Sequence, residues 1–172
     1  MITPLILLNN NKIQNIIVDK LTEFAEEKTG AKFDIKHVSL KSFNQINIKS
    51  VEAKDLNSQI FLSIDNLGAR ISLRALFKGN IVIDDIIAEN LSTSLYTNSD
   101  NTLNIQFLID KLTPKQKVAT PNLIFPLITL NNASFIFHDT NTKSTKVKSW
   151  QFDPTDIHID SLYTQIQFSI LN

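Results

Sequence analysis

The sequence predicts a mainly β protein with a leading α-helix: a curved, bulged antiparallel sheet of repeating strands, with the helix capping one end. Three observations carry that reading. One strand phrase, Φ-x-Φ-x-x-Φ-x-Φ with Φ apolar or Thr, is written four times: at Ile46, Ile48, Val51, Ala53; at Ile86, Ala88, Leu91, Thr93; at Ile128, Leu130, Ala133, Phe135; and at Ile157, Ile159, Leu162, Thr164. A stretch of helical period precedes the first copy. Residues 86–98 and 128–140 also align at a constant offset, matching Asn90 with Asn132, Leu91 with Ala133 and Leu95 with Phe137, as repeat architectures do.

Taken in order, residues 1–11 open with Met1 to Leu8, an apolar run that stops at Asn9. A bilayer span needs about 20 apolar residues, and the basic flank of a signal peptide is missing, so this run is either an N-terminus packed on the domain or the remnant of a membrane anchor. Residues 12–29 form the helix: Ile13, Ile16, Ile17, Leu21, Phe24 and Ala25 recur against Lys20, Glu23, Glu26 and Glu27, and Gly30 supplies the left-handed C-terminal stop. From Phe33 to Asn172 the period is two. Phe33, Ile35 and His37 alternate, Val38 and Leu40 mark a shift, and Ile60, Leu62 and Ile64 begin another strand continued by Ala69 and Ile71. Leu73 to Gly79 reads as a short helical turn, and Ile81 to Tyr96 as a strand ending in the polar turn Thr97–Thr102. Leu103, Ile105, Phe107 and Ile109 alternate as a further strand. Residues 111–126 carry Pro114, Pro121 and Pro126 and read as a linker, but not a domain boundary, because the phrase recurs on both sides; residues 12–172 are one domain. The last strand, Ile157 to Leu171, is still apolar-periodic near Asn172, and the sequence reads as the front of something longer.

Side chains alternate faces along a strand, so the extra residue in each phrase means that alternation slips once per copy. A β-bulge is the simple device for this. The slipped pairs are Lys49-Ser50, Glu89-Asn90, Asn131-Asn132 and Asp160-Ser161, all polar.

Composition narrows the function class. Seventeen basic residues balance seventeen acidic ones, which argues against a nucleic-acid partner. There is no cysteine, hence no disulfide or thiolate metal site. His37, His138 and His158 are scattered over separate strands without metal-ligand spacing; only folding could draw Asp156, His158 and Asp139 together, and the surface reading outweighs a ligand reading for them. Asp84-Asp85 is a carboxylate pair, but neighbours on a strand face opposite ways and cannot share acid–base work. No serine sits in a nucleophile elbow, and three glycines make no phosphate-cradling loop. The sequence therefore predicts no enzyme, no metal and no cofactor. Phe33, Phe61, Phe107, Phe135, Phe137, Phe152 and Phe168 read as core, or in part as the lining of an apolar groove.

An ordered set of segments carries a family resemblance. Gln14–Gly30 (QNIIVDKLTEFAEEKTG), Asp34–Leu40 (DIKHVSL), Asn47–Leu56 (NIKSVEAKDL), Ser72–Ile83 (SLRALFKGNIVI), Asn101–Phe107 (NTLNIQF) and Phe152–Asp160 (FDPTDIHID) resemble the N-terminal region of the AsmA-like superfamily, most closely the TamB-type translocation and assembly proteins of the Bacteroidota. The resemblance implies a β-taco, a long groove with an apolar interior that spans the periplasm and is anchored in the inner membrane. Phospholipids would be its cargo and an Omp85-type outer-membrane protein its partner through a C-terminal region absent from these residues. The anchor itself is missing or reduced to Ile2–Leu8. On this reading the chain shields or conducts acyl chains in outer-membrane biogenesis, with Ile46, Ile48, Val51, Ile86, Leu91, Leu95, Ile128, Leu130, Phe135, Phe137, Ile157 and Ile159 lining the groove. The rival is a closed β-sandwich that serves as scaffold or docking module without a lipid.

Overall fold

The structure is a computed structural model. It describes residues 11–42, 44–71, 83–113, 123–124, 127–142, 151–166 and 169–170. The apolar run 1–10, the Leu73–Gly79 turn, Phe168 and the three linker prolines lie outside them. Helix α1 spans Asn11–Thr29. It is followed by strands β1 (Lys32–Ser42), β2 (Gln45–Lys54), β3 (Ile60–Ile71) and β4 (Ile83–Tyr96), helix α2 (Gln106–Leu112), and strands β5 (Leu123–Ile124), β6 (Leu127–His138), β7 (Asp156–Ile166) and β8 (Ser169–Ile170). The fold is mainly β with a leading helix, as predicted. Six strands form one open sheet in the order β1-β2-β3-β4-β6-β7, and β5 pairs with β8 separately.

The helix ends where its sequence says it must. Gly30 takes a left-handed φ of 76° and its N–H donates to the Glu26 carbonyl at 2.8 Å, closing the last turn. The Glu26 carboxylate then accepts the Phe33 N–H at 3.1 Å, tying the start of β1 to the helix. Ile17 is fully buried on the strands, among Val38, Ile46, Ile48, Val51, Ile64, Ala69 and Ala88.

Neighbouring strands are antiparallel except β4 and β6, which run parallel. Their register sets each residue beside the one 42 positions on, Asp85 opposite Leu127 through Tyr96 opposite His138. The sequence repeat is therefore a stack of like on like. The sheet is mixed where the sequence predicts it antiparallel throughout, because parallel neighbours need a long crossover and residues 97–126 provide one.

The alternation slips where the phrase predicts, and the means differs from the expected bulge. Ser50, Asn90, Asn132 and Ser161 have φ between 53° and 58°, and each is the second residue of its slipped pair. On β1 to β4 no residue is inserted: Ile35 faces Val51 and His37 faces Lys49, Val51 faces Ile64 and Lys49 faces Asn66, Ile64 faces Leu91 and Asn66 faces Glu89. Adjacent strands slip at the same height, so pairing continues through the left-handed steps of β2 and β4, beside β1 and β3, which have no positive φ there. At the slip itself the register shifts between β6 and β7, because the slip of β7 lies nearer its N-terminus; the shifts of the other antiparallel pairs lie at their strand ends. The step carries a side-chain ladder in which the Asn132 amide donates to the Asn90 carbonyl oxygen at 2.8 Å and the Asn90 amide to Asp65 at 3.1 Å. A left-handed serine costs about 1 kcal/mol that glycine does not. Ser50→Gly is therefore expected to hold or raise the urea midpoint and Ser50→Val to lose about 2 kcal/mol. A neutral Ser50→Val variant contradicts the left-handed step.

The sequence-predicted strand at Leu103–Ile109 is a correction. Residues 106–112 form helix α2, and Ile105, Phe107 and Leu108 pack on Ala31, Ala53 and Phe61. Ile105 and Leu108 stand one helical turn apart, and packing on this second group of buried residues decides between helix and strand.

Candidate functional site

The register gathers the four phrases into rows that cross the sheet on one face. Ile46, Ala69, Ile86, Ile128 and Ile166 form the first row; Val38, Ile48, Leu67, Ala88, Leu130 and Thr164 the second. Beyond the left-handed step come Ile35, Val51, Ile64 and Leu91, with Ala133 opposite Leu162 at the far side; then Phe33, Ala53, Leu62, Thr93, Phe135 and Ile159; and finally Leu95, Phe137 and Ile157. All twelve sequence-predicted groove residues lie in these rows. The opposite face is mostly polar: Glu52, Ser63, Ser92 and Ser134 stand side by side there, with Ile87 and Ile136 as scattered apolar positions.

Cover over this face is uneven. Helix α1 lies over the strands at the β1 side, where Ile46, Ile48 and Val51 are buried and Leu91 packs against the same core. Between Leu21, Phe24, Ala25 and the sheet remains a cavity of about 290 Å3, to which Ile46, Ile48, Val51 and Ile86 contribute. On β6 only Leu130 packs against either core cluster, and among the described residues none of β7 does. Leu95, Ile128, Phe135, Phe137 and Ile157 are half-buried, while Ile159 and Leu162 are 44% and 40% exposed. Phe152, read from sequence as core or groove, is 75% exposed.

A buried polar cluster pins the far end of this face, and the sequence reading did not single it out. Asp55, only 5% exposed, accepts the N–H groups of Asn57 and Gln59, each at 2.9 Å, and the Tyr96 hydroxyl at 2.7 Å. Asn104, also buried, accepts the Tyr96 N–H at 3.2 Å and donates to the Ser94 carbonyl at 3.3 Å. Together they tie the β2–β3 turn, the end of β4 and the approach to α2. The signal available in the sequence was an Asp followed two residues later by Asn in a short turn, an Asx-turn pattern.

The remaining polar candidates sit at strand ends. Asp156 lies 3.0 Å from His158 and 3.5 Å from His138, and all three are exposed. Asp139 does not join them. Its carboxylate accepts the hydroxyls of Thr142 and Thr97 (2.5 and 2.7 Å) and the Asn141 N–H (3.0 Å), which bind the loop after β6 to the turn after β4. These bonds, led by that of Thr142, lower its pKa from 3.8 to about 2. The stability it contributes is complete above 3.8 and is lost as pH falls toward 2. Asp139→Asn is therefore expected to flatten part of the acid limb of a stability-versus-pH curve, Asp85, Asp100 and Asp153 being lowered too. An unchanged limb contradicts this. Asp85 is paired with Arg70 and Asp84 is exposed. Among the described residues no group of three or more His, Asp or Glu is placed to hold a metal.

Fold and face define a helix-capped open β-sheet protein with one continuous apolar surface. No family model, curated protein or solved structure matches the chain. Among the described residues no helix is long and apolar enough to cross a membrane.

Proposed function

We propose that the chain is the N-terminal part of an AsmA/TamB-like, periplasm-spanning envelope protein and shields phospholipid acyl chains along its apolar face. The observation that carries the reading is the set of apolar rows, continuous from the covered strands to β7, where cover gives way to half-buried Phe135 and Phe137 and exposed Ile159. A monomer seldom leaves a contiguous apolar strip of this kind in water without a use for it. Acyl chains fit its chemistry, since each methylene removed from water contributes about 0.8 kcal/mol and sliding along the face makes no directional bond. Such movement uses no nucleophile and no metal. Localisation in a Gram-negative periplasm, an inner-membrane anchor and an Omp85-type partner follow from the family resemblance and belong to the same proposal.

The burial of Ile46, Ile48 and Val51 under α1 favours a second reading, a scaffold whose apolar face is closed. Mass spectrometry of the protein purified without detergent separates the two. Co-purifying phospholipid, near one per chain and lost from a Phe137→Asp variant, is the expected result. Lipid-free protein that stays monomeric favours the scaffold.

A further inference from the structure

The cavity beneath α1 is distinct from the open face and has a charge at its edge. Its walls are apolar side chains of α1 and of β1 to β4, apart from Thr29 and Lys28. The Thr29 hydroxyl is already committed, donating to the Ala25 carbonyl at 2.6 Å. An apolar-walled space of this kind attracts apolar groups rather than water, and about 290 Å3 lies at the small end of ligand sites.

Lys28 lines the cavity with its stem, yet its side chain is 56% exposed, so the ammonium stands at the mouth, 5.6 Å from the Phe24 ring centroid. Its only near carboxylate among the described ion pairs is Glu27, at 3.8 Å and itself largely in water, a weak pairing that an incoming anion can replace. Glu26, one residue further back, is occupied by the Phe33 N–H.

The geometry points to a site for one acyl chain bearing an anionic head, the chain between α1 and the sheet and the head against Lys28. It rests on the reading of this face as a lipid surface and narrows it to a single-chain, acid-headed ligand held at the helix-covered end. A fatty-acid carboxylate and a lipid phosphate share that chemistry.

The test uses the full chain and displacement of the fluorescent fatty acid cis-parinarate by three probes: oleate, lyso-phosphatidylglycerol and neutral oleyl alcohol. One equivalent of displaceable probe is expected. Lys28→Gln should weaken oleate and lyso-phosphatidylglycerol about threefold and leave oleyl alcohol unchanged. Ala25→Phe, which fills the cavity from the helix side, should abolish displaceable binding while lipid crosslinks from a photoreactive residue at position 135 persist. Ala25→Leu is the milder filling variant and decides the matter should Ala25→Phe lose its far-ultraviolet signal. A preference for oleate names a free fatty acid as the source, and a preference for the lysolipid names a phospholipid head; both support the site. Folded Ala25 variants that bind as before, or a Lys28→Gln variant that affects all three probes equally or none, overturn it. Binding sensitive to position 25 without crosslinks from position 135 keeps this site and sinks the open-face function; crosslinks without such binding do the reverse.

Discussion

Asp55→Ala is expected to destabilise the fold by about 3 kcal/mol, the largest loss from any single polar substitution argued for this chain. The carboxylate is buried and accepts from two turn N–H groups and from the Tyr96 hydroxyl. Alanine leaves those donors facing a space poorly supplied with water, and each stranded donor costs on the order of 1–3 kcal/mol before partial relaxation. The turn also includes Ser58 at a left-handed φ of 63°, a conformation that its hydrogen bonds hold in place. Asp55→Asn keeps an acceptor for the turn and is expected to lose about 1 kcal/mol. Urea unfolding of the two variants measures both, and an alanine variant within 1 kcal/mol of the parent contradicts the role given to the cluster.

The second large effect is on occupancy rather than stability. Phe135→Asp places a carboxylate in the middle of the apolar face, between its row neighbours Thr93 and Ile159 and outside both core clusters. Phospholipid content is expected to fall at least tenfold, since a charge facing hydrocarbon costs several kcal/mol, while the circular dichroism spectrum is retained. Leu91→Asp gives the contrasting result. Leu91 sits on the same face but packs against the α1-covered core, so this variant is expected to unfold by a few kcal/mol rather than merely lose lipid. Equal and severe unfolding of both variants contradicts an open face at β6.

The two variants behave differently because cover changes along a row, and that change was not legible in the sequence. The phrase identified row positions on β2, β4, β6 and β7, where the period and its slip are written into the strand; β1 and β3 carry no copy, and Leu67 was placed by the register alone. Ile46 and Phe135 look alike in that pattern. Their difference arises from where α1 lands, and a helix packing site is a tertiary fact. The constant offset between residues 86–98 and 128–140 marked the repeat, but an offset is silent on direction; the parallel pairing of β4 with β6 needed the structure. Helix α2 was misread because Leu103, Ile105, Phe107 and Ile109 fit a strand while Ile105 and Leu108 stand one helical turn apart, and packing of Ile105, Phe107 and Leu108 on Phe61 and Ala53 selects the helix. The left-handed steps were legible as slips but not as left-handed, because a bulge gives the same spacing. Asp55 was hidden for a plain reason: an Asp in a polar turn looks exposed until Tyr96 and Asn104 arrive from 41 and 49 residues away.

The central claim is that one face of the sheet, and only one, meets acyl chains where cover ends. Photoreactive residues placed singly at Leu95, Phe135, Phe137 and Ile157 on that face, and at Ser134 and Ile136 on the other, test it directly in membranes of cells expressing the protein. Phospholipid adducts from the first four positions and none from the last two are the predicted result. Adducts from both faces alike, or from neither, would contradict it.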